Sequence, residues 1–308
     1  MDLMNNEKHF NTLNNYYKHK YNKKVFKIAL NSDFTCPNRD GSKGIGGCIY
    51  CSNSGSGDYA GDKNESFLSQ FEHGLKMMSK KWDNAYYIPY LQSFTNTYGP
   101  IEKLRKYYYE LINLDKNVVM ISISTRPDCL NKEIYDLLDE INKIKPVQIE
   151  LGLQTIHSTT SKLINRCCDL ECFKNACLEL KKRNIEVVAH IINGLPYETY
   201  DMMIETAKYL NGLVDGVKIH MLHIMKNTKI LEMYNKEKFH ILSLEEYVKV
   251  TVDQIRSLNK NIIIHRVTGD SPKDLLVEPT WTLKKFVVMN EIDKYMRKNN
   301  FDQGDLYE

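Results

Sequence analysis

The sequence has no run of about 18 uncharged apolar residues, the length needed to cross a bilayer, and its opening MDLMNNEKHFNTLNNYYKHKYNKK holds no apolar stretch of the signal-peptide kind. A cytoplasmic protein with no membrane partner is expected. An excess of one charge sign is also missing. The 42 Lys and Arg stand against 39 Asp and Glu, a net +3 that neither demands nor excludes a nucleic-acid partner. No linker, low-complexity tract or internal repeat divides the 308 residues, so one domain spanning 1–308 is expected. Cysteines number only eight, and in a reducing compartment they are poor material for a disulfide framework. Clustered ones are therefore read as metal ligands or reactive thiols.

What is present suits a packed globular chain, at 42% hydrophobic and 26% charged. Short β-branched runs at 25–30, 86–92, 118–124, 147–153, 186–193, 216–222 and 261–267 read as strands. Helical periodicity lies between them, near 64–80, 100–113, 131–143, 171–183, 199–211 and 243–257, with a further stretch at 282–298. This is a βα repeat, which winds into an open sheet or curls into a full or partial barrel; periodicity alone does not choose. Strands buried on both faces should be apolar throughout. Here polar residues recur at one parity: Ser122, Ser124 and Arg126; Gln148, Glu150 and Gln154; Lys218 and His220. One face is partly polar, as the lumen of a barrel carrying its chemistry at the C-terminal strand ends would be.

The segment FTCPNRDGSKGIGGCIYCSNSGSGD (34–58) follows the first strand and carries Cys36, Cys48 and Cys51 at spacing C-x11-C-x2-C. A closed zinc site takes four ligands and a stable iron–sulfur carrier usually takes four cysteines, so three thiolates leave a coordination position open for chemistry. The competing interpretation is a zinc loop completed by a histidine such as His73. The pattern, with Tyr50 just before the last cysteine, resembles the radical S-adenosylmethionine (SAM) superfamily, although the commonest form has three residues between its first two cysteines. The motifs SFTNTYGP (93–100), STRPD (124–128), ELGLQTIHSTTSKLINR (150–166), HIINGLPYET (190–199) and HRVTGD (265–270) follow in order and resemble the YhcC/YtqA-type radical SAM proteins, relatives of the radical SAM half of Elongator's catalytic subunit.

That resemblance implies an α/β fold, a partial (β/α)6 TIM-type barrel over 25–267, with a basic N-terminal extension over 1–24 and a C-terminal helical extension over 268–308. It implies that Cys36, Cys48 and Cys51 hold a [4Fe–4S] cluster beside Tyr50, and that SAM is the second cofactor. Thr95, Asn96 and Thr97 match the segment receiving the methionyl group, and Glu150 and Gln154 the ribose-facing positions. Arg166 matches the carboxylate contact, and Ile192, Asn193, Gly194 and Leu195 the stretch passing the adenine. The chain departs from many relatives at Cys167 and Cys168, where Gly-His is frequent, and at Tyr197, where glycine is frequent. Together with Cys172 and Cys177, the first two raise a second-cluster question, but no C-x2-C pair accompanies them; Cys129 likewise has no assigned role. Arg126, His190 and His220 are candidate catalytic residues from strand parity, with core hydrogen bonding as the alternative.

The implied chemistry is an electron from flavodoxin or ferredoxin, cleavage of SAM, and removal of a substrate hydrogen by the 5′-deoxyadenosyl radical. The implied substrate is tRNA, at the carbon-5 side chain of the wobble uridine. The alternatives are a small metabolite, or a non-catalytic Fe–S or zinc module that binds RNA. No acetyltransferase-type region accompanies the motifs, so only the radical SAM step is implied. From the residues themselves the RNA signal is the arm over residues 1–30, where six lysines stand among Phe10, Tyr16, Tyr17, Tyr21 and Phe26. The same arm suits a cover over the barrel's N-terminal edge.

Overall fold

A computed structural model describes residues 8–79 and 84–307. Residues 1–7 of the expected N-terminal extension, position 80 of the first expected helix and residue 308 lie outside the described residues. The chain begins with helix α1 (Leu13–Tyr21) and strand β1 (Val25–Leu30). It then alternates α2 (Phe67–Ser79), β2 (Tyr86–Leu91), α3 (Ile101–Ile112), β3 (Ile121–Thr125), α4 (Lys132–Ile144) and β4 (Val147–Gln154). Next come α5 (Ser158–Leu163), α6 (Leu170–Lys181), β5 (Glu186–Asn193), α7 (Tyr200–Lys208), β6 (Gly216–Met221), β7 (Ile224–Met225) and α8 (Lys229–Lys236). Helix α9 (Leu244–Ser257), β8 (Ile263–Arg266), β9 (Leu276–Glu278) and α10 (Lys285–Asn299) complete it. Side-chain caps start the helices where the apolar period begins: Asn131 for α4, Asp169 for α6, Thr199 for α7, and a Ser243–Glu246 capping box for α9.

Seven parallel strands form one sheet in the order β1-β2-β3-β4-β5-β6-β8, while β7 and β9 pair antiparallel in a small ribbon beside it. Every main strand matches an expected one closely, and the seventh adds one to the six of the expected (β/α)6 pattern. The outward faces carry Ile121, Ile123, Ile149, Leu151, Val187, Ala189, Val217 and Ile219, which pack with the helices into one continuous apolar core. The inward faces are polar. Lys27 on β1 reaches Glu150 on β4 at 2.5 Å, and Glu150 also bonds Lys218 on β6. Strands this far apart in the sheet order meet only if the sheet curls strongly into a half-barrel.

The described part of the N-terminal arm packs against the barrel, with Lys18, His19 and Lys20 left exposed. Asn11 accepts a backbone bond from Ile264 of β8 at 2.8 Å, and α1 lies across the N-terminal strand ends. Tyr17 is buried with Ile88 and Met120, and Tyr16 and Lys20 bond Glu186, the first residue of β5, at 2.7 and 2.6 Å. The arm is a plug at the end opposite the cysteine loop. Its tyrosines spend their faces on packing because the half-barrel would otherwise expose apolar strand ends there.

Candidate active site

At the C-terminal strand ends a cavity of about 280 Å³ opens to solvent. The loop after β1 supplies Cys36, Cys48, Tyr50 and Cys51 to one wall; the ends of β2 to β6 and β8, the segment after α5 and the loops after β6 and β8 supply the others. Short bonds shape the loop. Arg39 and Asp40 donate backbone N–H to the Cys36 carbonyl, Cys51 to that of Cys48 at 3.0 Å, and Gly47 to that of Asn38 at 2.7 Å. Gly47 adopts φ +77°, a conformation open to glycine at little cost. The segment after α5 clamps the loop from outside: the Asn165 amide donates to the Gly47 carbonyl at 2.8 Å, and Asn38 donates to the Asn165 carbonyl at 2.5 Å.

The three thiols have polar company. The Asn38 amide lies 3.6 Å from the Cys48 sulfur, Ser56 Oγ 3.5 Å from that of Cys51, and the Tyr50 hydroxyl reaches Cys48. Burial, with Cys51 adding to it, pushes the Cys48 thiol up to about 12, and burial also raises Cys51. Bare Cys48 and Cys51 thiols are thereby held protonated, and a positively charged metal centre reverses that preference. Among the described residues no three His, Cys, Asp or Glu side chains converge tightly enough for a single metal ion. A four-iron cluster differs in placing each thiolate on a separate iron, so its ligands stand further apart. The donor set fits the cluster. His73 sits on α2 beside Glu65 at 3.2 Å and is not among the cavity's lining residues, so it completes no zinc site with this loop.

Other expected residues divide into those that reach the cavity and those that support it. Thr95, Gln154, Arg166, Ile192, Arg126, His190 and His220 line it. Asn96 is buried, its amide bonding the carbonyls of Leu91, Ser93 and Ser124, and Thr97 bonds Thr125 at 2.6 Å and the Cys129 carbonyl at 2.7 Å. Asn193 makes a reciprocal pair with Gln254 at 2.8 Å, and Leu195 packs beneath α8. These four side chains hold turns in place; none reaches the cavity. Gly194 keeps φ +81°, with Leu242 at 3.2 Å from where a Cβ would stand, so the strand-to-helix turn leaves no easy room for a side chain.

Glu150 departs furthest from its expected role. Its side chain is fully buried below the cavity rather than lining it, and both oxygens are engaged: Oε1 with Lys27 and Ser122 at 2.5 and 3.1 Å, Oε2 with His190 at 2.7 Å and with Lys218. A ribose diol has no free oxygen to meet. Burial alone would lift this carboxyl, but Lys218, Lys27 and the His190 bond outweigh it and hold it well below the usual carboxylate range. Burial pushes the Lys218 ammonium down to about 7, opposed by Glu150 and reinforced by Lys27. Because the carboxylate accepts at His190 Nε2, that nitrogen carries the ring proton. His220, buried with His190, Arg266 and Lys218 around it, is held well below its usual value, and its Nε2 has no partner among the described residues. Arg126 is fixed by two bonds to Asp128 at 2.9 Å.

Sequence reasoning passed over Lys27, Lys218, Arg39, His223 and Arg266. The parity pattern already contained Lys218, and a lysine inside the apolar run VFKIAL was the signal for Lys27. Arg39, His223 and Arg266 also line the cavity but stand on loops or a strand end where no period marks them. Cys168 lines the cavity beside Cys172, while Cys129 and Cys177 are buried.

Comparison with known proteins agrees with this geometry. The family described as Radical SAM superfamily matches residues 36–210, and the Radical_SAM C-terminal domain matches 214–298. An uncharacterized protein, YtqA, of Bacillus subtilis (strain 168) is 43% identical over 99% of this chain and 94% of its own. A tRNA uridine(34) acetyltransferase of Methanocaldococcus infernus is 28% identical over 58% of this chain, which spans 33% of that protein. Among solved structures, the archaeal Methanocaldococcus infernus Elp3 with an N-terminal deletion superposes with a TM-score of 0.70 at 19% identity, covering 91% of this chain and 64% of that one.

Proposed function

Because the chain belongs to the radical SAM superfamily and is a radical SAM enzyme whose cofactors are a [4Fe–4S] cluster and SAM, we propose that it modifies tRNA, at the carbon-5 side chain of the wobble uridine. The convergence of three thiols from one loop with Arg166, Gln154 and Ile192 on a cavity at the strand ends supports the radical SAM chemistry on which this reading rests. The tRNA uridine(34) acetyltransferase relative supports the choice of nucleotide. When bound and reduced by flavodoxin or ferredoxin, the cofactors supply a 5′-deoxyadenosyl radical that takes a hydrogen atom from substrate.

The chain's own residues bind, orient and handle protons. Cys36, Cys48 and Cys51 hold the cluster, with Asn38 and Ser56 donating to sulfur and Tyr50 closing one side. Lining the cavity, the buried Arg166 guanidinium would pair with the SAM carboxylate, Thr95 would meet the methionyl group, Gln154 would take the ribose contact for which Glu150 has no free oxygen, and Ile192 would pass the adenine. Glu150 acts as a positioning residue, holding Lys218 Nζ at the cavity floor and His190 in its Nε2-protonated form. Lys218 Nζ and His220 Nε2 are the atoms available to exchange a proton with substrate, and Arg126, anchored by Asp128, faces it as a fixed cation.

Anaerobically reconstituted protein, dithionite-reduced, is expected to release 5′-deoxyadenosine faster with bulk tRNA than without it. Nucleoside mass spectrometry of tRNA from a deletion strain checks the nucleotide: wobble uridines identical to wild type overturn the tRNA reading and leave the small-metabolite alternative.

A further inference from the structure

The N-terminal arm packs at the barrel end opposite the cavity, so an RNA whose target base enters the cavity needs a nearer surface, and one adjoins it. Asp270 lines the cavity and also a second groove, formed where the segment after β8 and the start of α10 with the stretch before it meet Tyr59, in the continuation of the cysteine loop. On this groove Phe286 is 70% exposed and Tyr59 58% exposed, large aromatic faces left in solvent within a few residues of three lysines, Lys273, Lys284 and Lys285. Asp270 is taken up by Arg266 and by Lys285 at 3.1 Å, while Asp58, which accepts from Ser52 at 3.1 Å and from Ser54, and Asp274 stand near Tyr59. Lys273 and Lys284 make no ion pair among the described residues. Ser271 lines the same groove at 8% exposure, and its Oγ has no partner among the described residues.

A buried hydroxyl without a partner, exposed rings and unneutralised lysines on one groove are what a single-stranded nucleic acid uses: phosphates for the cations, base faces for the rings, a phosphate or sugar oxygen for the hydroxyl. We infer that this surface is where the RNA strand lies as its target base enters the cavity, with Lys273 and Lys284 on phosphates, Phe286 and Tyr59 stacked on unpaired bases, and Ser271 on the backbone. The inference rests on the RNA reading above and adds the docking face to it. An acidic protein would match the lysines but gives no role to two rings exposed beside the mouth of the cavity, so RNA is the better fit.

The test measures anisotropy of a labelled synthetic anticodon stem–loop, and of bulk tRNA, with anaerobically reconstituted holoenzyme across a salt series. Phe286→Ala is expected to weaken binding by about 5- to 100-fold, the loss of one stacked base. Lys273→Gln with Lys284→Gln should weaken it about 10-fold at low salt and flatten the log–log salt slope by roughly 1.5. Thermal midpoints and iron content, followed in parallel, report whether each variant is folded; Ser271→Ala, a smaller change, repeats the test where one is not. The comparator, Lys18→Gln with Lys20→Gln on α1, should bind as wild type. Wild-type affinity in the groove variants, with RNA still bound, overturns the surface and leaves the tRNA reading standing. Absence of RNA binding by the wild type overturns both. Loss of flavodoxin-driven cluster reduction in the groove variants with RNA binding intact reassigns the face to an acidic protein and overturns the inference.

Discussion

At Glu150 one carboxylate answers the half-buried Lys27, the buried Lys218 and a histidine. Removing it strands the cations, so Glu150→Gln is expected to cost about 3–5 kcal/mol in denaturant unfolding, while Lys27→Met, which leaves the Glu150–Lys218 pair, costs less. A Glu150→Gln protein as stable as wild type would place the network outside the stability of the fold. The pH dependence has two limbs. Glu150 titrates lower when folded, so its contribution is present above about 4.5 and lost as pH falls toward the folded value. Lys218 is lowered as well, to about 7 from 10.5, so the unfolded chain binds the extra proton and stability rises as pH climbs between those values. Lys218→Met should abolish that alkaline rise; equal slopes from pH 7 to 10.5 in both proteins would count against it. At the cluster, Cys48→Ala is expected to lose iron after reconstitution, whereas Cys129→Ala and Cys172→Ala retain it, as read by iron content and the visible spectrum. Loss of iron in either of the latter, with retention in Cys48→Ala, would move the cluster. The three cysteines were legible because a short spacing on one loop needs no tertiary information. The Lys27–Glu150–Lys218 set was not, because its members lie on strands that meet only after the sheet curls.

Strands and long helices were legible for a related reason: runs such as VVMISIS and NIIIHRV hold the buried residues Met120, Ile121, Ile123, Ile262, Ile263 and Ile264, so composition and structure coincide. Helices α1, α5 and α8 and the β7–β9 ribbon escaped, the first because it is polar and rich in asparagine, the others because six- and eight-residue helices and two- to three-residue strands carry too few turns to show a period. For α1 the structure shows the second of the two expected roles, a cover over the barrel's N-terminal edge, and its chemistry tests that. Tyr17 is buried at 3% exposure with its hydroxyl unpartnered among the described residues. Tyr17→Ala should therefore cost about 3–5 kcal/mol through the cavity it leaves. Tyr17→Phe, removing only the unpaired oxygen, should be neutral or stabilising by about 1 kcal/mol. An RNA-stacking tyrosine would behave otherwise: both substitutions would leave stability unchanged and Tyr17→Ala would weaken tRNA binding.

Across the whole molecule, the two matched family segments meet between residues 210 and 214, yet the sheet runs through that boundary. Strand β5 pairs with β6 from Val188↔Gly216 to Asn193↔Met221, and β6 with β8. The second segment also supplies Lys218, His220, His223 and Arg266 to the cavity, so the site is split between the two halves. A chain ending at residue 213 would expose the edge of β5, an unpaired row of backbone donors and acceptors flanked by Val187, Ala189 and Ile191, which template aggregation when left open. It would also leave Glu150 with Lys27 as its only cation and open one end of the plug, because the Asn11 carbonyl would lose the Ile264 amide. The expected outcome is that the 1–213 fragment is insoluble or melts without cooperativity, and that co-expression with 214–308 restores both a cooperative transition and iron binding. A 1–213 fragment that melts cooperatively near the full-length midpoint would mean that the two segments fold independently. The cysteine loop alone would then be enough to hold the cluster, and the polar lumen would be an addition to the fold instead of part of what holds it together.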